Sequence, residues 1–210
     1  MLQEIIQYFQ KDQGQYWQLI GQHLALCLIT LLIAMVIAFP VGYWASKSRR
    51  VATICTLFAQ TLRIIPSLGL LFILIPIIGT GELPAIIALV ILAIPPILIN
   101  TIIGLTTVEP IYLEVSRAMG MKNRQILWQV QFPLALPIIL NGIKLSLIEV
   151  IASATLATYI GAGGLGTLVF TGLGLYEMSY VVIGGLSVAL IALLTMLLFD
   201  FWIKKVTIHD

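Results

Sequence analysis

Residues 114–133 read EVSRAMGMKNRQILWQVQFP, a charged and polar island in a chain that is otherwise almost continuously apolar. Glu114, Arg117, Lys122 and Arg124 are each expensive in hydrocarbon, so the chain must leave the lipid here. The approach, residues 108–119, opens with Glu109 and Pro110: proline suits the first helical turn and an acidic group suits the positive end of the helix dipole. Gly120 then breaks the helical pattern and permits a turn. Residues 123–131 put Ile126, Leu127 and Val130 on one apolar side, before Pro133 starts the next apolar stretch. On its residues alone the island is either a solvated amphipathic connector or a rigid projection that receives movement from another subunit.

Working outward, the 210 residues are 60% hydrophobic and only 10% charged, and the mean hydropathy is +1.08. That composition excludes a soluble domain and implies an all-α polytopic membrane protein. Five spans are expected, at about residues 19–44, 51–78, 84–107, 133–159 and 180–203. The first, at 1.5 Å per residue, reaches about 39 Å and crosses a hydrocarbon core of about 30 Å with some tilt. Ahead of it, residues 1–18 place Leu2, Ile5, Ile6 and Phe9 at helical spacing, which predicts a short interfacial helix anchored by Tyr16 and Trp17. Glu4 precedes the first lysine, Lys11, and no small-residue cleavage site follows, so the first span is expected in the mature protein. The second span is interrupted by Arg63 and Pro66 and is expected to be kinked or discontinuous. The third carries Pro95, Pro96, Asn100 and Thr101; the fourth carries Lys144 and Glu149 and ends in a flexible glycine-rich loop at residues 161–166. Residues 108–132 join spans three and four, and 204–210 form a tail.

The net charge of +2 matters less than its placement. Lys47, Arg49 and Arg50, then Arg117, Lys122 and Arg124, then Lys204 and Lys205 all fall on one side of a five-span layout, and only Lys11 falls opposite. The N-terminus is therefore expected outside a bacterial plasma membrane, with the island and C-terminus cytoplasmic and the glycine-rich loop external. Nothing supports nucleic-acid binding. No GxxxxGK loop, HExxH pair, paired-cysteine metal site or GxSxG turn occurs, so no catalytic residue, bound cofactor or metal is expected. His23 and His209 read as interfacial residues, and Cys27 and Cys55 as packing residues. Energy for transport would come from an ion gradient or from a partner ATPase.

The spacing of Glu114, Gly120 and Pro133 resembles the EAA signature of ABC-importer permeases. With LRIIPSL (62–68), PPILINT (95–101) and TYIGAGGLG (158–166), the likeness extends over roughly residues 19–201 to permeases of osmoprotectant importers, which take up glycine betaine, carnitine or choline. The resemblance implies a type I importer permease fold, with Glu114, Arg117, Ala118, Gly120 and Pro133 serving ATPase coupling. It also implies ABC ATPase subunits that bind ATP-Mg, a second permease copy or a paralogue, and an external substrate-binding protein. Val115 and Ser116 stand where alanines are usual, and Val130 and Phe132 where isoleucine and leucine are usual; these are changes of packing detail. Methionine-type permeases share the five-span plan and the loop, and an ergothioneine importer is a related alternative. A gradient-driven carrier or channel is the reading from a different class.

Within the spans, Arg63 and Glu149 would each cost about 2.5 to 3.5 kcal/mol in lipid on insertion scales. At 1.5 Å per residue they lie roughly 18 and 24 Å deep, within reach of each other. They are expected either to line a pathway or gate, with Pro66, Asn100, Gly163 and Gly164, or to form a static ion pair. The six glycines between 161 and 174 suit an external gate or binding-protein contact, and equally a tight re-entrant turn. The aromatic residues, among them Tyr43, Trp128 and Tyr159, read as a membrane-interface belt and provide no substrate box.

Overall fold

Apolar stretches that cross lipid must satisfy their own backbone polar groups, and this chain does so by forming helices. The structure, a computed structural model, describes residues 2–207, and no strand occurs among them. His209 and the last three residues of the tail lie outside the described residues. Helix α1 (Leu2–Lys11) lies against α10, and its Tyr8 is buried edge-on against Tyr180 and Tyr16, with ring centroids 5.2 and 6.5 Å away. Burial, with the nearby Asp12 charge, pushes the Tyr8 phenol up to about 12.

Helix α2 (Gln13–Ser46) begins earlier than the expected residue 19, so Tyr16 and Trp17 sit in its first turns. Residues 13–18 contain only Gly14 as a weak breaker, and a cost of about 1 kcal/mol does not stop a helix that is already propagating. The second apolar stretch is two helices, α3 (Arg49–Leu62) and α4 (Ser67–Ile78), bent by 85° at a four-residue break. Proline at 66 leaves no N–H to continue the ladder, and Pro66 takes the extended N-cap position of α4.

Helix α5 (Glu82–Thr106) forms the centre and is packed by α2, α3, α4 and α8. Small residues share this core with larger ones: Ala85, Ala88 and Ala93 of α5, Ala34 and Ala38 of α2 and Ala154 and Ala157 of α8 belong to one buried cluster, all without exposed surface. Lipid gives no hydrophobic drive between helices, so close backbone approach is what holds them. Gly142 is one such close approach between α8 and α5, because a Cβ there would sit 2.5 Å from Asn100 Cβ.

After α6 (Pro110–Ala118), α7 (Asn123–Ile126) runs through a π-helical turn, Leu127–Gln131, straight into α8 (Phe132–Ala157) and a 3₁₀ turn ending at Ile160. The sequence suggested a separate short helix followed by a span. Instead, 38 residues form one helix, because the wide π turn, closed by Phe132 N–H to Leu127 O, admits Pro133 without a break. The expected flexible loop also differs: residues 161–165 turn, and then α9 (Gly166–Leu175) packs on α10 (Met178–Thr207). Glycine lowers helix propensity, which hid α9, yet Gly172 lets the two helices touch; a Cβ there would lie 2.8 Å from Val181. The described helices α2, α5, Asn123–Ile160 and α10 are long and apolar enough to cross a membrane, and counting the bent α3–α4 pair as one span brings them to the five expected from the sequence.

Candidate functional site

The polar island becomes a helical projection. Pro110 occupies the first turn of α6 after Glu109, and Ser116 Oγ donates to Tyr112 O at 2.6 Å. The helix ends in paired bonds, Met121 N–H to Ser116 O (3.1 Å) and Gly120 N–H to Arg117 O (2.9 Å), with Gly120 at φ +80°. This is a Schellman ending, in which the left-handed residue has no Cβ to clash. Lys122 N–H then donates to Gln125 Oε1 at 2.8 Å and starts α7. Gln131 Nε2 donates to Leu105 O at 3.0 Å, pinning the projection's far end to α5.

On α6, Ile111, Val115 and Met119 stand at four-residue spacing and are 54%, 50% and 76% exposed. Ala118 shares that face, while Glu114 and Arg117 flank it and are also exposed. The helix therefore presents an apolar stripe with a charged border to one side, outside the bundle. Pro133 is exposed two residues beyond the π turn.

Inside the bundle, Arg63 caps α3 at the break and is exposed, whereas Glu149 is half-buried on α8. The Arg63 charge is near enough to act on the Glu149 carboxylate, yet no ion pair within 4.0 Å joins them among the described residues. The charged contact that does form is Lys144 Nζ to Asp200 Oδ1 at 2.7 Å, between α8 and α10. Sequence reading passed over Asp200; its signal was a lone carboxylate in an apolar helix, four residues before Lys204. Asn100 Nδ2 donates to its own helix at Pro96 O, 2.8 Å away, facing Gly142.

The glycine-rich turn is clasped by α2. Gly161, Gly163 and Gly164 all have positive φ, at +87°, +74° and +84°. Gly164 N–H donates to Gln22 Oε1 at 3.2 Å, and Thr158 Oγ1 donates to Gly163 O at 2.5 Å. His23, expected at the membrane interface, is completely buried: its Nε2 lies 3.1 Å from Ile151 O, and its ring and backbone back directly onto Gly164. Neither Gln22 nor His23 was legible as part of this loop, since Gln22 lies 142 residues before Gly164 and His23 follows Gln22 directly. Gly81 N–H to Ile160 O, 2.7 Å, ties the same corner to the α4–α5 turn. Nearby, Tyr159 packs edge-on between Phe72 and Phe170, with centroids 5.5 and 5.3 Å away, so it serves packing between elements.

The chain is similar to known proteins. The Listeria monocytogenes carnitine transport permease protein OpuCB is 41% identical over 189 residues, which cover 90% of this chain and 87% of that protein. The Bacillus subtilis glycine betaine/carnitine/choline transport system permease protein OpuCB is 34% identical over 98% of this chain and 95% of that protein. Among solved structures, an inward-facing MetNI methionine ABC transporter chain superposes with a TM-score of 0.79 at 25% identity, covering 91% of this chain and 95% of that chain. Residues 34–208 match the family described as binding-protein-dependent transport system inner membrane component. The long apolar helices make a multi-pass inner-membrane protein, and the chain belongs to that family as a transport permease subunit.

Proposed function

We propose that this chain is the membrane permease of an ATP-driven importer that moves a small quaternary-ammonium osmoprotectant, glycine betaine, carnitine or choline, into the cell. The observation that carries the coupling half of this reading is α6: an exposed apolar stripe of Ile111, Val115 and Met119, bordered by Glu114 and Arg117, on a helix that stands clear of the spans. Such a patch on a polar projection suits a protein partner. An ABC ATPase carrying ATP-Mg docks there, with Ala118 in the contact, Gly120 holding the turn and Pro133 at the join to the span. The N-terminus then lies outside, and an external binding protein delivers cargo to the glycine-rich corner. The cargo class is supported by the relatives' substrates. Arg63, Pro66, Asn100, Glu149, Gly163 and Gly164 are the proposed pathway and gate positions, Arg63 and Glu149 through their opposed charges at the helix break.

Reconstitution with the cognate ATPase and binding protein in proteoliposomes tests this. ATP-dependent uptake of betaine, carnitine or choline, exceeding that of methionine and ergothioneine, is the expected result. Uptake that proceeds without ATP on a sodium or proton gradient would overturn it.

A further inference from the structure

Between α2, α5 and the π turn that joins α7 to α8 lies a cavity of about 500 Å³. Its floor is Thr101 of α5 and Ile139 of α8, both buried, and its walls include Phe39, Tyr43, Trp128 and Phe132. Thr101 Oγ1 donates to Ile97 O at 2.7 Å, so the floor offers no free donor and little to hold ordered water, which needs about 2–4 polar partners. Left empty, a void of this size forfeits the dispersion contacts of its walls. The cavity suits an apolar occupant. Its mouth faces lipid: Pro40 stands on the rim and, with Val36 and Trp44 at four-residue spacing, makes an exposed apolar stripe on α2. Trp44 and Trp128, both exposed, mark the level of the membrane surface. From Trp128 to Ile139 the helix axis runs about 16 Å, close to half of a hydrocarbon core of about 30 Å.

What fills it follows from charge. Lys47, one turn beyond Tyr43, lays its ammonium 4.4 Å from the centre of that ring. Arg124 stands one turn before Trp128 on the other side of the mouth. Residues 34–50 and 119–148, which frame the opening, contain no aspartate or glutamate. Glu109, the acid that follows α5, lines a separate recess with Leu134 and Ile138. A cationic rim over an apolar shaft complements a hydrocarbon chain that ends in a negative head group, and basic recesses between spanning helices hold anionic lipid heads. We infer that the cavity is a binding site for one anionic phospholipid, with an acyl chain between Tyr43, Phe132 and Ile139 and the phosphate against Lys47 and Arg124. A zwitterionic phospholipid brings the same chain, but its own ammonium meets the cationic rim and weakens the seat. Once filled, the cavity braces the π turn against α2, at the join between projection and span. The site requires no cargo, ATPase or second copy, so it stands apart from the importer reading.

The purified full chain in mild detergent, given equimolar phosphatidylglycerol and phosphatidylcholine with the same oleoyl chains, tests the site. Native mass spectrometry should find one phosphatidylglycerol retained per chain, preferred about tenfold over phosphatidylcholine. Lys47→Gln combined with Arg124→Gln should bring the two lipids to equal retention. Ile139→Phe, which fills the floor, should lose the lipid while unfolding at no lower a temperature. Equal retention of both lipids by the unaltered chain, a preference unchanged by the two charge substitutions, or lipid still held by folded Ile139→Phe would each overturn the inference. So would displacement of the phospholipid by glycine betaine or choline, the mark of a cage for small cations. If Ile139→Phe fails to accumulate, the unaltered floor gives a second reading with Trp128 as the sole tryptophan, after Trp17→Phe, Trp44→Phe and Trp202→Phe. Phosphatidylglycerol brominated along its acyl chains should then quench Trp128 fluorescence more than brominated phosphatidylcholine at the same mole fraction, and equal quenching would sink the site.

Discussion

Lys144 Nζ lies 2.7 Å from the Asp200 carboxylate, a charge-assisted bond that fastens α10 to α8. Helix α10 buries little of its surface, so this contact counts for more than a surface pair would. Lys144→Met should lower stability by about 2 kcal/mol, less than a fully buried pair because Asp200 is 44% exposed. Lys144→Met with Asp200→Leu should recover most of that loss, since no charge is then left alone. Thermal unfolding in detergent of both single variants and the double variant reads this out; a double variant as unstable as the worse single one would contradict it.

Glu149 sits half-buried within electrostatic reach of Arg63 without closing into an ion pair. Glu149→Gln should assemble normally and transport more slowly; uptake at the unaltered rate, with normal assembly, would remove Glu149 from the pathway.

At Gly120 the φ of +80° excludes an ordinary side chain, although nothing lies within 4 Å of the added Cβ. Gly120→Leu therefore carries a strain of about 1–2 kcal/mol in the turn alone. Insertion should be unaffected, while uptake per ATP hydrolysed falls; Gly120→Asn, which tolerates this φ, should retain coupling. Coupling unchanged in the leucine variant would reduce the projection to a connector.

Gly164 combines φ +84° with a Cβ position 3.1 Å from His23 Nδ1. Gly164→Ala should cost at least about 1–2 kcal/mol and loosen the clasp on Gln22. Faster proteolysis at residues 161–165 is the signature to measure, and an unchanged cleavage pattern would argue that the turn is held elsewhere.

Tyr8 is buried with no hydrogen-bond partner for its hydroxyl among the described residues, and its phenol is raised from 10.0 to about 12. The folded state thus favours the neutral ring. Its contribution to docking α1 is fully present below about pH 10 and is lost as pH rises through about 12. Tyr8→Phe should keep α1 docked across that window and should not lower the midpoint of unfolding at neutral pH. Trp17 fluorescence during alkaline titration follows the docking; parallel titrations of the two proteins would refute it.

The long apolar stretches, the break at Pro66 and the polar island were all readable, because each depends on local composition: hydrocarbon excludes charge, and proline removes a donor wherever it stands. What sequence could not supply is azimuth. Lys144 and Glu149 are five residues apart on α8 and so point about 140° apart. Depth counting placed Glu149 beside Arg63 but could not say that Lys144 faces α10, where Asp200 waits. Helix α9 was hidden for a related reason. Its glycines weaken local propensity, and the compensation comes from α10 packing, which appears only in three dimensions. The continuity of α7 with α8 was likewise masked, since Pro133 reads as a start signal unless a π turn precedes it.

That continuity has a mechanical meaning. Asn123–Ile160 is a beam of about 57 Å, gripped near its midpoint where Gly142 is pressed on Asn100. A tilt of 5° about that fulcrum displaces Asn123 by about 2.5 Å and carries Ile160 about 2.4 Å in the opposite sense. Ile160 holds Gly81 through its carbonyl and adjoins the turn clasped by Gln22. A push delivered on one face of the membrane therefore arrives as a pull on the other, through a single see-saw with no relay of side chains between.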